Sequence, residues 1–307
     1  MIGHDQGREM MYLKLTKAKR REWLWSVIFI LPLTTGLILF MVYPLITGIA
    51  YSFTDYNLFD MKFVGGANYV QVFHDATFWK SFLNVIIFSI NVPVNLVLAL
   101  VISAILNSAI KGSKVYRAIY FLPIICGAVA TTFIWKWIYA SQYGLLDNIL
   151  YSMGIQSPPI WLDVNQPFSF MSSMIIMTLW ACLGTNILIY SATLKNIPTT
   201  YYEAALIDGA NAFTRFFKIT VPLISPITFY LLLTNLIGSL QEFSKFKIMV
   251  GYTDNTVLPV WYIYNFMGNF GYEYGYASAL GVVYGLFLLG VAAINFILQK
   301  YWVSYDN

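Results

Sequence analysis

Long apolar runs alternate with short polar ones along the whole chain. Six stretches, at about 23–54, 81–110, 118–135, 164–194, 219–241 and 274–299, contain no Asp, Glu, Lys or Arg. Crossing about 30 Å of hydrocarbon takes roughly 20 helical residues, so the pattern predicts an all-α integral membrane protein with six transmembrane helices. A membrane β-barrel would need alternating segments of about ten residues, and the runs here are continuous. Between the fourth and fifth runs lies an island of different character, 195–222, far longer than a reversal of direction requires. It predicts a helix over 199–207, capped by Thr199 or Thr200, with Glu203 in its first turn and Ala204, Ala205 and Leu206 propagating it. Gly209 can then turn the chain. A second helix over 212–220 follows, with Phe213, Phe216 and Phe217 on its apolar side. From the residue types alone, this unit is either a knob for a socket on another protein or an amphipathic loop lying on the bilayer.

Composition agrees with the membrane reading. Of 307 residues, 59% are hydrophobic and 10% charged, against roughly 25% charged in soluble domains. Lys and Arg set orientation, because basic loops resist translocation. Thirteen of the eighteen fall in the N-terminal segment, at 111–117, in the island and at Lys300, while Lys62, Lys80, Lys136, Lys245 and Lys247 lie in the alternate connections. Both termini and the island are therefore expected in the cytoplasm. This gives a cytoplasmic segment 1–24, a transmembrane domain 25–299 and a cytoplasmic tail 300–307. The net charge of +4 is explained by orientation and calls for no nucleic-acid partner. The first run is too long for a signal-peptide core and reads as a retained helix.

Little in the chain suggests covalent chemistry. Cys126 and Cys182 are the two cysteines, and His4 and His74 the two histidines, which leaves no disulfide framework and little support for a metal site. Gly112-Ser113-Lys114 lacks the first glycine of a phosphate loop. The aromatic content, 18%, suits interfacial girdles, and Ala277, Gly281 and Gly285 suit close helix packing. Prolines at 32, 44, 93, 123, 222 and 226 read mostly as tolerated kinks. Polar groups inside spans are costly and mark candidate paths. Asn235, Ser239 and Glu242 share one helical stripe, and Thr178, Trp180, Cys182, Thr185 and Asn186 cluster in the fourth run. Such groups can hydrogen-bond a neutral sugar or simply bond neighbouring helices.

Glu203-Ala204-Ala205, Gly209 after three more residues, Ile219 and Pro222 resemble the E-A-A loop of permease subunits of bacterial ATP-binding-cassette importers. Tyr202 to Ala210 is similar to the carbohydrate-uptake branch that includes maltose, glycerol-3-phosphate and multiple-sugar permeases. Further matches are Tyr43-Pro44, Asn68-Tyr69, Tyr116-Arg117-Ala118, Leu122-Pro123, Trp180, Tyr262-Ile263-Tyr264 and Gly275 to Ala279. The segment from Val250 to Thr256 departs from the family's Gly-Gly-Pro pattern. The resemblance implies a type I importer permease fold and a multi-pass protein of the bacterial cytoplasmic membrane, in contact with membrane lipid. It implies a half-channel that pairs with a second homologous permease, docks on a cytoplasmic ATPase dimer and receives sugar from an extracytoplasmic solute-binding protein. Glu203 would anchor the ATPase, Ala204, Ala205 and Asp208 would form the docking helix, Gly209 the turn, and Phe213, Phe216 and Phe217 the apolar filling. ATP and Mg would be bound by the partner ATPase, with no cofactor on this chain and no catalysis by it. By similarity the sugar site lies near Ile124, Ala128, Thr178, Cys182, Thr185, Ser239 and Glu242. A permease for another solute, or a secondary carrier or membrane enzyme, are the competing classes. The last two call for paired intramembrane acids or a nucleophile with a base, which the spans lack.

Overall fold

A computed structural model describes residues 3–107, 113–268 and 270–304. Residues 108–112, including Lys111, lie outside the described residues. So do the side chains of Lys114, Tyr116, Arg117 and Ala118, which carried part of the charge and resemblance arguments. α1 (Gly3–Leu37) continues through a π turn (Ile38–Val42) into α2 (Tyr43–Tyr51). A hairpin follows, with β1 (Thr54–Asn57) antiparallel to β2 (Asp60–Phe63) and Thr54 opposite Phe63. Then come α3 (Ala67–His74), α4 (Ala76–Ser89), α5 (Asn91–Asn107), α6 (Ser113–Cys126), α7 (Ala128–Ile138), α8 (Leu145–Ser152) and α9 (Pro167–Lys195). α10 (Thr199–Ile207), α11 (Ala212–Arg215), a π turn (Phe216–Thr220) and α12 (Val221–Leu223) make up the island. α13 (Ser225–Leu240), α14 (Ser244–Val250), α15 (Pro259–Asn265) and α16 (Tyr274–Trp302) complete the chain.

Four stretches among the described residues are long and apolar enough to cross a bilayer: Lys19–Tyr51, Ala76–Asn107, Pro167–Lys195 and Tyr274–Trp302. Two more are bent pairs, Ile119–Cys126 with Ala128–Ile138 at 112° and Ala212–Leu223 with Ser225–Leu240 at 65°. Counting each bent pair as one span gives six. The third run, expected as one span, is thus a broken helix. Gly127 causes the break with φ +73°, a conformation side chains resist; Pro123, four residues earlier, sits inside continuous helix. The hairpin also qualifies the all-helical expectation.

The prolines Pro44 and Pro222 each follow a π turn by two residues. A proline ring clashes with the carbonyl four residues back, here that of Phe40 or Lys218, both within the widened turn. Tyr43 and Val221 accordingly donate five residues back, to the Ile38 and Phe216 carbonyls. The helix bulges instead of breaking.

α5 and α9 are the central pair. Asn95 Nδ2 donates to the Leu179 carbonyl at 2.9 Å, Ser103 Oγ to Ile187 at 3.0 Å and Asn107 Nδ2 to Ser191 at 3.3 Å. The sequence offset is the same each time, so the two helices run parallel. Two apolar clusters fill the bundle. One, near the hairpin, gathers Phe78, Phe88, Phe170, Phe246 and Trp261; the other gathers Leu96, Ile187, Tyr190 and Leu231 between α5, α9 and α13.

The hairpin end is densely bonded. Asp75 caps α4 by accepting from the Phe78 N–H at 3.0 Å, and its other oxygen accepts the hydroxyls of Tyr262 at 2.7 Å and Tyr276 at 2.6 Å. Burial, and then the Asp75 carboxylate, push the Tyr262 hydroxyl well above its usual range, so it remains a donor. Asn68 donates to the Ser52 and Thr54 carbonyls at 2.9 Å each, stitching α3 to the start of the hairpin. A Cβ on Gly275 would stand 1.9 Å from the Thr54 carbonyl, so only glycine lets α16 lie this close. The segment that departed from the resemblance folds as a turn, Val257 N–H donating to Thr253 O at 3.0 Å, and Asn84 holds it through Asn255 O and Val257 O at 3.1 and 3.0 Å.

Candidate functional site: a polar cavity and an exposed loop

A cavity of about 400 Å³ lies where α5, α9 and α13 meet. It is lined by Thr178, Cys182, Thr185, Asn186, Asn235, Ser239 and Glu242, so seven of the eight path residues read from the sequence come together. Trp180 does not join them. It is half-buried and packs edge-on against Trp135 of α7, ring centroids 5.7 Å apart. A smaller cavity of about 210 Å³ includes Ile124 and Ala128 and shares Cys182, Thr185 and Lys245 with the first. The break at Gly127 opens its wall.

Polar side chains set the cavity's shape. Asn186 Nδ2 donates to Asn95 Oδ1 at 2.7 Å and faces Asn235 Oδ1 at 3.4 Å; Asn91 Nδ2 donates to Ser239 Oγ at 2.9 Å. Thr178 is buried with its Oγ1 unpartnered, a costly arrangement unless a ligand or water fills it. Sequence reading missed Asn91 and Asn95. The signal was available as Asn91 and Asn95, two amides four residues apart in an otherwise apolar run.

Glu242 stands differently from its expected place. The stripe extended a helix through it, but α13 ends at Leu240 and Glu242 sits in the following turn, its N–H donating to Ser239 O at 3.2 Å. Its carboxylate pairs with Lys245 Nζ and accepts from the Lys245 N–H at 3.1 Å. Lys247 instead lies over the Tyr264 ring at 4.3 Å. With Glu242 neutralised, the cavity offers hydroxyls, amides and one ion pair, and carries no excess charge.

The island is a helix, turn and helix. Pro198 stands at the N-cap of α10 and no side chain caps it, so neither Thr199 nor Thr200 acts as expected; proline fixes φ for entry, and Thr199 is already the first helical residue. α10 ends in a Schellman turn, Ala210 N–H to Ala205 O at 2.8 Å and Gly209 N–H to Leu206 O at 3.0 Å, with Asp208 at the C-cap and Gly209 at φ +77°. Asn211 caps α11 through the Thr214 N–H at 2.8 Å. The second helix is shorter than expected: it passes into the π turn at Phe216. Tyr202 OH lies 2.9 Å from Thr220 Oγ1 and ties the two arms. Glu203, Ala204 and Asp208 are exposed and Ala205 is half-buried. Ile207 is 88% exposed and Phe213 71%, with Phe213, Phe217 and half-buried Phe216 in one cluster of tilted and edge-on rings. Apolar residues this exposed on a knob mark an interaction surface.

Comparisons with known proteins give the family. The chain is 34% identical over 303 residues to the probable ABC transporter permease protein YesP of Bacillus subtilis (strain 168), covering 96% of each. It is 33% identical to the lactose transport system permease protein LacF of Rhizobium radiobacter, over 89% of this chain and 92% of that one. It is also 33% identical to the trehalose/maltose transport system permease protein MalF of Thermococcus litoralis, over 87% and 91%. The fold is shared with a chain of a bacterial alginate ABC transporter, solved in complex with an alginate pentasaccharide-bound periplasmic protein, at a TM-score of 0.81, 22% identity and coverage of 94% and 97%. Residues 63–303 match the binding-protein-dependent transport system inner membrane component, and the chain belongs to that family of ABC transporter permeases.

Proposed function

We propose that this chain is one membrane-spanning half of an ATP-driven importer for a sugar or oligosaccharide in the bacterial cytoplasmic membrane. The cavity between α5, α9 and α13 carries the reading. Directional hydroxyls and amides around a neutral pocket suit a carbohydrate, and the carbohydrate permeases among the relatives support that class. The parallel course of α5 and α9 supports six spans, because the chain between two parallel spanning helices must cross back once. The bent pair α6 and α7 supplies that crossing, with both termini and the island left on the cytoplasmic side. The transmembrane unit is then 25–299, flanked by 1–24 and 300–307.

In the complete transporter a second permease closes the path from the other side, and a solute-binding protein delivers the sugar at the hairpin end. Two ATPase subunits bind ATP and Mg beneath, so this chain is not itself an enzyme. Glu203, Ala204, Ala205, Asp208 and Gly209 give the docking helix and its turn, while Phe213, Phe216 and Phe217 fill the ATPase cleft. Closure of the ATPase dimer moves the knob, and the α12–α13 elbow passes that motion to the wall holding Asn235 and Ser239.

The test is uptake by the reconstituted complex. Ser239→Leu and Thr178→Leu should each lower oligosaccharide uptake at least tenfold while the complex assembles in normal yield, since each removes a polar group and fills the cavity. Unchanged uptake in both would place the sugar elsewhere.

A further inference from the structure

The C-terminal end of α9 carries a third hollow, a groove of about 360 Å³ that shares no lining residue with the two cavities above. Its walls are apolar, with Phe121 of α6 and Ile187 and Leu188 of α9; its mouth is polar, with Ser191, Lys195 and Asn196. Ser191 is buried, and its hydroxyl has no hydrogen-bond partner. A helical serine usually bonds the carbonyl four residues back. Here that carbonyl, Ile187 O, already accepts the Ser103 hydroxyl at 3.0 Å, and the α5–α9 contact leaves the Ser191 donor facing the groove. One turn further on, Lys195 is exposed and makes no ion pair among the described residues. An unused hydroxyl donor and an unpaired ammonium therefore share a helix face, above apolar walls, where α9 meets the headgroup layer.

We propose that this groove binds an anionic phospholipid, its phosphate taken by Lys195 and Ser191 and an acyl chain lying along Phe121 and Leu188. Basic pockets between spanning helices take such headgroups, and the order of cation, hydroxyl and hydrocarbon follows the order of groups in the lipid. The position has a consequence. Asn196 also borders a depression formed with Pro198, Tyr201 and Leu223, the seat of α10, so a bound headgroup steadies the root of the exposed loop. The proposal rests on α9 spanning the membrane and not on what is transported.

The experiment uses the full chain in nanodiscs of phosphatidylcholine with a minority of phosphatidylglycerol, released in the gas phase and read by native mass spectrometry as lipid retained. The wild type should retain phosphatidylglycerol in preference. Lys195→Gln should lose about five-fold of that retention, Lys195→Arg should keep it, and Ser191→Ala should lose less than Lys195→Gln. Equal retention of the two lipids, or a Lys195→Gln protein indistinguishable from wild type, overturns the proposal. Displacement by inorganic phosphate at the lipid's own concentration also overturns it, since the groove would then be a soluble-anion site. Loss of the bound lipid whenever the second permease is present would make the groove a subunit interface and overturn it as well.

Discussion

The hairpin end and the loop end of this molecule satisfy their polar and apolar groups in opposite ways. At the hairpin end Asp75 meets three donors, Asn84 two acceptors, and Trp261 and Phe246 are buried in a core of their own. At the loop end Ile207, Phe213 and Phe217 stand in solvent, and none of the residues of α10 is buried. A region that completes itself contributes stability. In the proposed transporter, a region left apolar and exposed, yet shaped by a Schellman turn and an asparagine cap, is fixed in form for another surface to complete.

The sharpest way to break that comparison is to damage each end and ask which property fails. Asp75→Ala removes a helix cap, worth about 1 kcal/mol, and leaves two buried tyrosine hydroxyls without an acceptor, at about 1–3 kcal/mol each. It should destabilise the detergent-solubilised protein by about 3 kcal/mol, seen as a clear fall in melting temperature. Asp75→Asn keeps one oxygen for the cap but puts an amide N–H where the second oxygen accepts both hydroxyls, so it should recover only the cap's share, about 1 kcal/mol. A melting temperature unmoved by Asp75→Ala would mean the clamp is incidental.

At the loop end the expectation reverses. Gly209→Val should leave melting almost unchanged while disrupting the turn, because a β-branched residue resists φ +77°. Retention of the ATPase subunit during purification should fall by at least a hundredfold. Glu203→Ala should act more mildly, since alanine is the better helix former and only an intersubunit contact is lost. A hydrogen bond to a charged group corresponds to about one to two orders of magnitude in docking. Fully coupled ATP hydrolysis in both variants would reduce the knob to a surface loop.

How much of this was legible in the sequence differs between the two ends for a physical reason. The loop is local: its turn needs Gly209 and its apolar side is written at Phe213, Phe216 and Phe217 within a few residues, although the cap expected at Thr199 or Thr200 is absent and Asn211 caps the second arm instead. The cavity was legible in part, because the stripes on α9 and α13 follow helical period. Three things were hidden because they depend on distant partners. Trp180 sits two residues from Thr178 and Cys182 in sequence, yet turns to Trp135 on another helix. Glu242 was expected on the α13 stripe, but the helix stops short of it and Lys245 takes its charge. Asp75 carries no motif in the sequence, and its role comes from Tyr262 and Tyr276, about two hundred residues away. The break at Gly127 shows the remaining limit: apolarity reports where a segment can lie and says nothing of where its backbone turns.

In the proposed function the loop is a fixed surface completed from the cytoplasm by another protein. A single cysteine at the loop tip, Ile207→Cys, in a background with Cys126 and Cys182 replaced by alanine, tests it directly. An impermeant maleimide should label it from the cytoplasmic side of the membrane only, and labelling should stop when the ATPase subunits are bound. A cysteine at Phe63 of the hairpin should be labelled only from the opposite side and be indifferent to the ATPase. Labelling of Ile207→Cys in intact cells, or labelling that the ATPase does not slow, would contradict the account.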